Sequence, residues 1–453
     1  MPASRPDVQP DVVVVGGGIA GLTAARDLVA AGLSVLVLEG STSCGGKLRL
    51  ATVAGVEVDV GAESMLARRP EAVGLAAELG IDLVHPVSGS SQLWTRGGLR
   101  PLPRTLLGVP LDLPGLAASG VLSDDGLERA RHETLLPWGE TDVSVAELLG
   151  SRLGPEVVDR LAEPLLAGVY AGRASNLSAL AAIPQVVALL REHGSLLAAA
   201  ATVPPASEEP VFAGIAGGLG QLPGLIAAGL DVRTEGPVRD LVRTPSGFRM
   251  TVGSARTPET LETERVVLAT PAAPTSRLLT EVAPTAAAEL AGVEYASMAI
   301  VTLAVPVLEV DGSSGFLVPA VDGRWIKAAT YAFSKWAWVG AASPLRILRA
   351  SLGRHREESS LHATDDELVA RVVSDLSAAS GQPIEPVDVH VQRWGGALPQ
   401  YAVGHLDRVA RIRAAVDAVP GLAVCGAAYD GVGIPAVIGS ARRAAASLLS
   451  PVD

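Results

Sequence analysis

A run of four valines, Val12–Val15, leads directly into Gly16-Gly17-Gly18-Ile19-Ala20-Gly21, and this passage constrains the fold more than any other. Asp11 to Val15, with its consecutive β-branched residues, reads as a strand buried on both faces, as in a parallel sheet. Leu22, Ala25 and Val29 follow at helical spacing, and Gly32 closes that helix. Val35 to Leu38 forms a second strand, with Glu39 at its end. Each part of this order has a use. Gly16 permits the tight turn, Gly18 lets the backbone approach a pyrophosphate, and Gly21 lets helix and strand pack closely. The helix N-terminus, through Gly17, Ile19 and Ala20, faces the negative charge. Glu39 stands 21 residues past Gly18, where a carboxylate can take ribose hydroxyls. The passage predicts a dinucleotide site and leaves FAD against NAD open.

The bulk properties narrow the setting. A chain of 453 residues, 48% apolar, is too long for one core and should divide into two or three domains. A net charge of −12 argues against nucleic acid, whose phosphates demand a basic face. Its basic residues are nearly all arginine; the only lysines are Lys47, Lys327 and Lys335. The longest uncharged stretch, Phe212 to Leu230, is broken by Gly217, Gly218, Gly220 and Pro223, and Leu177 to Leu190 by Pro184 and Gln185, so no transmembrane helix is expected. Met1 to Asp11 lacks the marks of a signal peptide. Cys44 and Cys425 form no CxxC pair, and the default is a reduced, cytoplasmic setting. The seven histidines include no HxxxH pair, so no metal site is expected.

Cys44-Gly45-Gly46-Lys47 follows the acid, and then come Val56 to Val60 and Gly61-Ala62-Glu63-Ser64. Gly45 and Gly46 allow a second close backbone approach, and Lys47 offers a cation to phosphate. This continuation resembles that of the FAD-containing amine oxidase, phytoene desaturase and protoporphyrinogen oxidase superfamily, and the resemblance implies FAD. The sequence departs from the superfamily at Ser43, where an arginine is usual.

Farther along, Ser88 to Ser91 reads as a polar turn, Gln92 to Pro103 as a hairpin, and residues 104–205 as helices interrupted by prolines including Pro155, Pro164 and Pro184. Ala198 to Glu209 reads as a loop. Gly217 to Gly220 open a helix to Ala228, followed by strands at Asp231 to Thr234, Leu241 to Arg243, Phe248 to Val252 and Arg265 to Leu268. Strands at Ala299 to Val305, Trp325 to Thr330, Arg346 to Leu352 and Val387 to Arg393 accompany one long helix, Asp365 to Ala379. A last strand, Leu422 to Val424, enters Cys425 to Pro435 and then a helix from about Ala436 to Leu449. The expectation is an α/β protein. A discontinuous Rossmann-like FAD-binding domain comprises residues 1–90, 211–290 and 396–453. Residues 91–210 form a helical insertion, and 291–395 an α+β substrate domain.

Tyr429-Asp430-Gly431-Val432-Gly433-Ile434-Pro435 resembles the C-terminal motif of the protoporphyrinogen and coproporphyrinogen oxidases. So do Arg393-Trp394, Ala397-Leu398-Pro399-Gln400-Tyr401, Gly404-His405, Ser334-Lys335-Trp336 and Leu348 to Gly353. The resemblance covers Val12 to Leu448. It implies FAD contacts at Gly16 to Gly21, Glu39, Gly40, Lys47, Gly61 to Ser64, Val238, Trp394 and Val432 to Ile434. Trp394 has two readings, a core aromatic or a residue beside the flavin. The resemblance further implies oxidation of a porphyrinogen with dioxygen as acceptor, no assigned catalytic base, and room for a transient contact with a ferrochelatase. Substrate propionates want guanidinium partners. Arg96, Arg100 and Arg104 are candidates, although surface arginines are the plainer reading. The acidic chain without a membrane anchor resembles the Gram-positive enzymes that act on coproporphyrinogen III. The alternatives are protoporphyrinogen IX oxidation, a flavin amine oxidase or carotenoid desaturase, and a flavin-binding protein without turnover.

Overall fold

The computed structural model describes residues 9–87, 90–137, 139, 141–204 and 209–450. The N-terminal segment, the turn at Ser88–Ser91 and the end of the segment to Glu209 therefore fall partly outside the described residues.

Five parallel strands run in the order Asp231–Arg233, Val35–Leu38, Val12–Val15, Arg265–Leu268, Leu422–Val424. Val12–Val15 is central and fully buried, as a strand covered on both faces requires. On one face helix Ile19–Ala30 packs against helix Ile434–Leu449, burying Leu22, Ala25, Leu28, Ile438 and Ala441. The other face carries helices Ala272–Leu279 and His405–Asp417 and a three-stranded sheet, Val238–Thr244, Gly247–Val252 and Glu259–Thr263, around Phe248, Met250 and Ile412. The chain is thus a mixed α/β protein.

A second sheet has seven strands, in the order Asp388–Pro399, Tyr295–Val305, Arg346–Leu352, Ile326–Thr330, Gly315–Leu317, Gln92–Thr95, Gly98–Pro101. Helix Asp365–Ser380 covers one side, with Leu368, Val372 and Leu376 in that core. Helix Glu163–Tyr170 lies against strands Gly315–Leu317 and Ile326–Thr330. The hairpin Gln92–Pro101 therefore joins this sheet at its edge, through Phe316↔Gln92 and Leu317↔Leu93. Among the described residues no helix is long and apolar enough to cross a membrane.

Three local expectations are corrected. Leu196–Thr202 is a helix rather than part of a loop. Ser195 accepts from the Ala198 amide, and the distant Glu133 accepts from the Leu196 and Leu197 amides, a long-range cap invisible to local sequence. Strand Val387 to Arg393 continues to Pro399 through Gly395-Gly396, because a bulge opposite Ala296 and Met298 absorbs the glycine pair. Pro164 does not interrupt its helix. A π-helical segment, Val158–Ala162, precedes Glu163–Tyr170 and accommodates the missing N–H.

Candidate functional site

The glycine turn is built as its spacing demands. Gly16 has φ +112°, and a Cβ there would lie 2.9 Å from the Ala269 carbonyl oxygen. At Gly21 an added Cβ would come within 1.8 Å of the Gly16 oxygen, so helix and turn are in close contact. Gly18 is the opposite case: a Cβ there would meet nothing within 4 Å. The turn therefore leaves open space on the side where a diphosphate would approach.

Glu39 closes over this turn from the end of its strand. Its carboxylate accepts from the Gly17 amide at 2.7 Å, and from the Ser41 amide and hydroxyl at 2.8 Å each. Gly236 donates to the Glu39 carbonyl at 2.9 Å, and Gly40 lies against Pro237, which brings Val238 to the same corner. The second glycine pair folds onto the first: the Gly45 amide donates to the Gly17 carbonyl at 2.9 Å, and Gly18 bridges Gly45. Lys47 comes next, half-buried and without a carboxylate in ion-pair range among the described residues. Loss of hydration brings its ammonium down to about 8.

Two helix N-termini converge on this region. Ile19–Ala30 starts after Gly18 and Ile434–Leu449 after Gly433; neither has a side-chain cap or an acidic residue in its first turn. Ile434 shares a core with Ala20 and Leu48. Uncapped amides at the positive end of a helix favour an anion. The tail before the second helix is held by Tyr401, whose hydroxyl donates to the Ala427 carbonyl and accepts from the Gly431 amide, each at 2.7 Å. His405 stacks on Tyr401 at 3.8 Å, and burial pushes it down to about 4, so it is neutral near pH 7. Val432 packs toward the helical core and Gly433 is exposed.

Gly61-Ala62-Glu63-Ser64 follows on against the Lys47 backbone, where the Ala62 amide donates to the Lys47 carbonyl at 3.2 Å, and Trp394 packs on it. Trp394 donates from Nε1 to the Val60 carbonyl at 2.9 Å, and its ring lies beside Gly61. Glu63 is committed to protein partners: Lys335 Nζ at 2.6 Å on one oxygen and Arg349 at 2.5 Å on the other, while Arg349 also donates to the Gly61 carbonyl. The two cations outweigh the cost of burial and hold Glu63 down at about 2. Sequence reasoning missed this clamp and the Tyr401 tie. The only signal for either was that their residues lie in motifs quoted for the family resemblance. Arg96 and Arg104 are exposed, and Arg100 and Arg104 donate to backbone carbonyls.

No group of histidine, cysteine and acidic residues suited to a metal occurs among the described residues. The chemistry of the site is that of an anion cradle: open backbone amides, a cation lacking a counter-charge, and a gap at Gly18. Those features fit the pyrophosphate of a dinucleotide.

Comparison with known proteins agrees. The chain is 36% identical to the coproporphyrinogen III oxidase of Mycobacterium tuberculosis, over 97% of each chain. It is 30% identical to the coproporphyrinogen III oxidase of Bacillus subtilis, over 98% of this chain and 99% of that one. A solved structure from Exiguobacterium sp. 255-15 superposes with a TM-score of 0.86 at 31% identity, covering 96% of this chain and 98% of the other. Residues 19–449 match the family described as flavin containing amine oxidoreductase. With glycine turns, helix ends and whole-chain likeness pointing the same way, the chain belongs to that family and is a flavin-dependent oxidoreductase.

Proposed function

We propose that this chain is an FAD- and oxygen-dependent oxidase that converts coproporphyrinogen III to coproporphyrin III in porphyrin biosynthesis. The observation that carries the reading is likeness along 97% of the chain to proteins of that name, at 36% identity. Bound FAD would supply two-electron acceptance and hand those electrons to dioxygen, so that one macrocycle loses six electrons and six protons while three O2 become three H2O2. The chain's own residues bind and orient. The turn from Gly16 to Gly21, through the amides that follow Gly17, and Lys47 would hold the diphosphate, and Glu39 and Gly40 the ribose, with Val238 at the adenine. Gly61 to Ser64, Trp394 and Val432 to Ile434 would surround the isoalloxazine, where the second helix N-terminus favours negative charge. In this reading Glu63 acts through its cations on the segment that carries it, and no side chain is assigned as base. Residues 1–90, 211–290 and 396–453 would carry FAD, 291–395 the substrate, and 91–210 the helical cover. A cytoplasmic location and a transient ferrochelatase contact for product release belong to the same reading.

The test is steady-state oxidation of both porphyrinogens by the purified protein, followed by porphyrin fluorescence, oxygen uptake and peroxide. Higher kcat/KM for coproporphyrinogen III, with about three peroxides per macrocycle, is expected of a two-electron cofactor. Faster protoporphyrinogen IX turnover at every salt concentration would assign the second substrate instead. Flavin-loaded protein that oxidises neither would return the chain to the wider family.

A further inference from the structure

Lys327 is a buried cation for which the site so far has no use. It lies in strand Ile326–Thr330 with 2% exposure, and its Nζ faces Met298 Sδ at 3.9 Å. No carboxylate lies in ion-pair range of it among the described residues. Arg354, 6% exposed, acts on it electrostatically. One Arg354 nitrogen donates to the Val318 carbonyl at 3.1 Å, and its Nε has no partner among the described residues. The acids of this corner are committed: Glu163 to Arg173 and the Ala174 amide, Glu357 to Arg173, and Glu294 to His355 and Arg356. Two buried cations therefore share a corner with no carboxylate in ion-pair range of either among the described residues; Glu163 reaches Arg354 only as a longer-range attraction, which Arg173 offsets. Burial lowers both, Lys327 to about 7. Isolated buried charge is strongly disfavoured unless something anionic arrives to pair with it.

The corner is well placed for a substrate group. Met298 is the register partner of Trp394, and Ala328 that of Ser351. These four residues are only half-buried, so the sheet face beside the lysine is partly open while the lysine lies at its base. Helix Glu163–Tyr170 packs against the same strand, which sets the corner between sheet and helical cover. We propose that Lys327, with Arg354, receives a propionate carboxylate of the porphyrinogen. This deepens the functional reading above and rests on it. A carboxylate there would restore the protonated lysine and supply the missing charge.

The experiment titrates coproporphyrin III, and separately its tetramethyl ester, into FAD-loaded wild type, Lys327→Met and Lys327→Arg. Lys327→Met should bind the tetra-acid roughly tenfold or more weakly, since it loses a charge-assisted contact, with ester affinity and flavin content unchanged. Lys327→Arg should recover part of the loss. In turnover, KM for coproporphyrinogen III should rise while kcat stays within about twofold. Arg354→Gln should weaken tetra-acid binding in the same titration, and it decides the matter if Lys327→Met does not fold. Equal tetra-acid affinity in variant and wild type overturns the proposal, as does parallel weakening of acid and ester, which would mark a packing effect. Wild type that oxidises neither porphyrinogen brings down the functional reading instead, and the binding titration then decides the inference alone.

Discussion

Gly18 and Gly21 sit three residues apart in one turn, yet a side chain would offend different partners at each. At Gly21 an added Cβ collides with the Gly16 oxygen at 1.8 Å, inside the protein itself. At Gly18 nothing lies within 4 Å, and its φ of −76° is open to any residue. Gly18→Val should therefore fold with a melting temperature close to wild type but purify without flavin. Gly21→Val should lose about 1–3 kcal/mol or more of stability, because overpacking forces turn and helix apart. Circular dichroism melts and visible absorbance separate the outcomes; a yellow Gly18→Val protein would place the pyrophosphate elsewhere. The lysines make a related point. In a chain whose basic residues are nearly all arginine, the three lysines stand beside the second glycine pair, on Glu63 and at the base of the sheet face.

The elements that carry the site were legible in so far as their signals are local. Val35–Leu38, Arg265–Leu268, Arg346–Leu352 and Leu422–Val424 have the limits read from sequence, and the first strand begins one residue later than read, at Val12, because short runs bounded by glycine, proline or charge mark buried strands. The glycine turn, the acid after the second strand and the final strand-turn-helix were likewise readable in order. What escaped depends on partners far along the chain. Glu63 meets Lys335 and Arg349 across 272 and 286 residues, and Glu133 caps a helix 63 residues away. Tyr401 is the instructive intermediate: its motif stood out, but its role appears only once its hydroxyl is seen between Ala427 and Gly431. Burial drives its phenol far upward, so it remains a donor at any ordinary pH. Tyr401→Phe strands one buried donor and one acceptor in the tail, a loss of about 1–3 kcal/mol. Faster flavin release at unchanged secondary structure is the expected readout; identical release rates would mean that the tail is held by its helix alone.

At the scale of the whole molecule, the segment Gly61–Ser64, which lies outside the parallel sheet, is tied to the seven-stranded sheet at Glu63, which Lys335 and Arg349 reach from that sheet and its flanking helix. The pH dependence of that junction follows from signs. Glu63 is held at about 2 in the folded chain against an ordinary 4.5, so the unfolded chain binds the extra proton between those values. Its contribution is complete above about pH 4.5 and disappears as the pH falls toward 2, because stability rises with pH wherever the unfolded state holds more protons. Asp59, raised to about 6 by burial, works the other way, favouring the fold at low pH and losing that contribution as the pH rises through 6. The two effects separate in a difference measurement. At pH 7, Glu63→Gln should be less stable than wild type by about 3 kcal/mol, the order expected when two enclosed cations lose their carboxylate. Asp59 is common to both proteins, but Glu63 is one of the charges that raise it, so the comparison is made in an Asp59→Asn background, which removes that second titration. The gap should hold down to about pH 5, then narrow as the unfolded wild-type chain takes up a proton on Glu63, and flavin should leave wild type over the same interval as the fold weakens. Denaturant melts at several pH values, with flavin fluorescence recorded alongside, test both statements. A gap independent of pH from 7 to 3 would mean that Glu63 stabilises through shape and hydrogen bonding rather than charge, and the electrostatic account of the junction would fall.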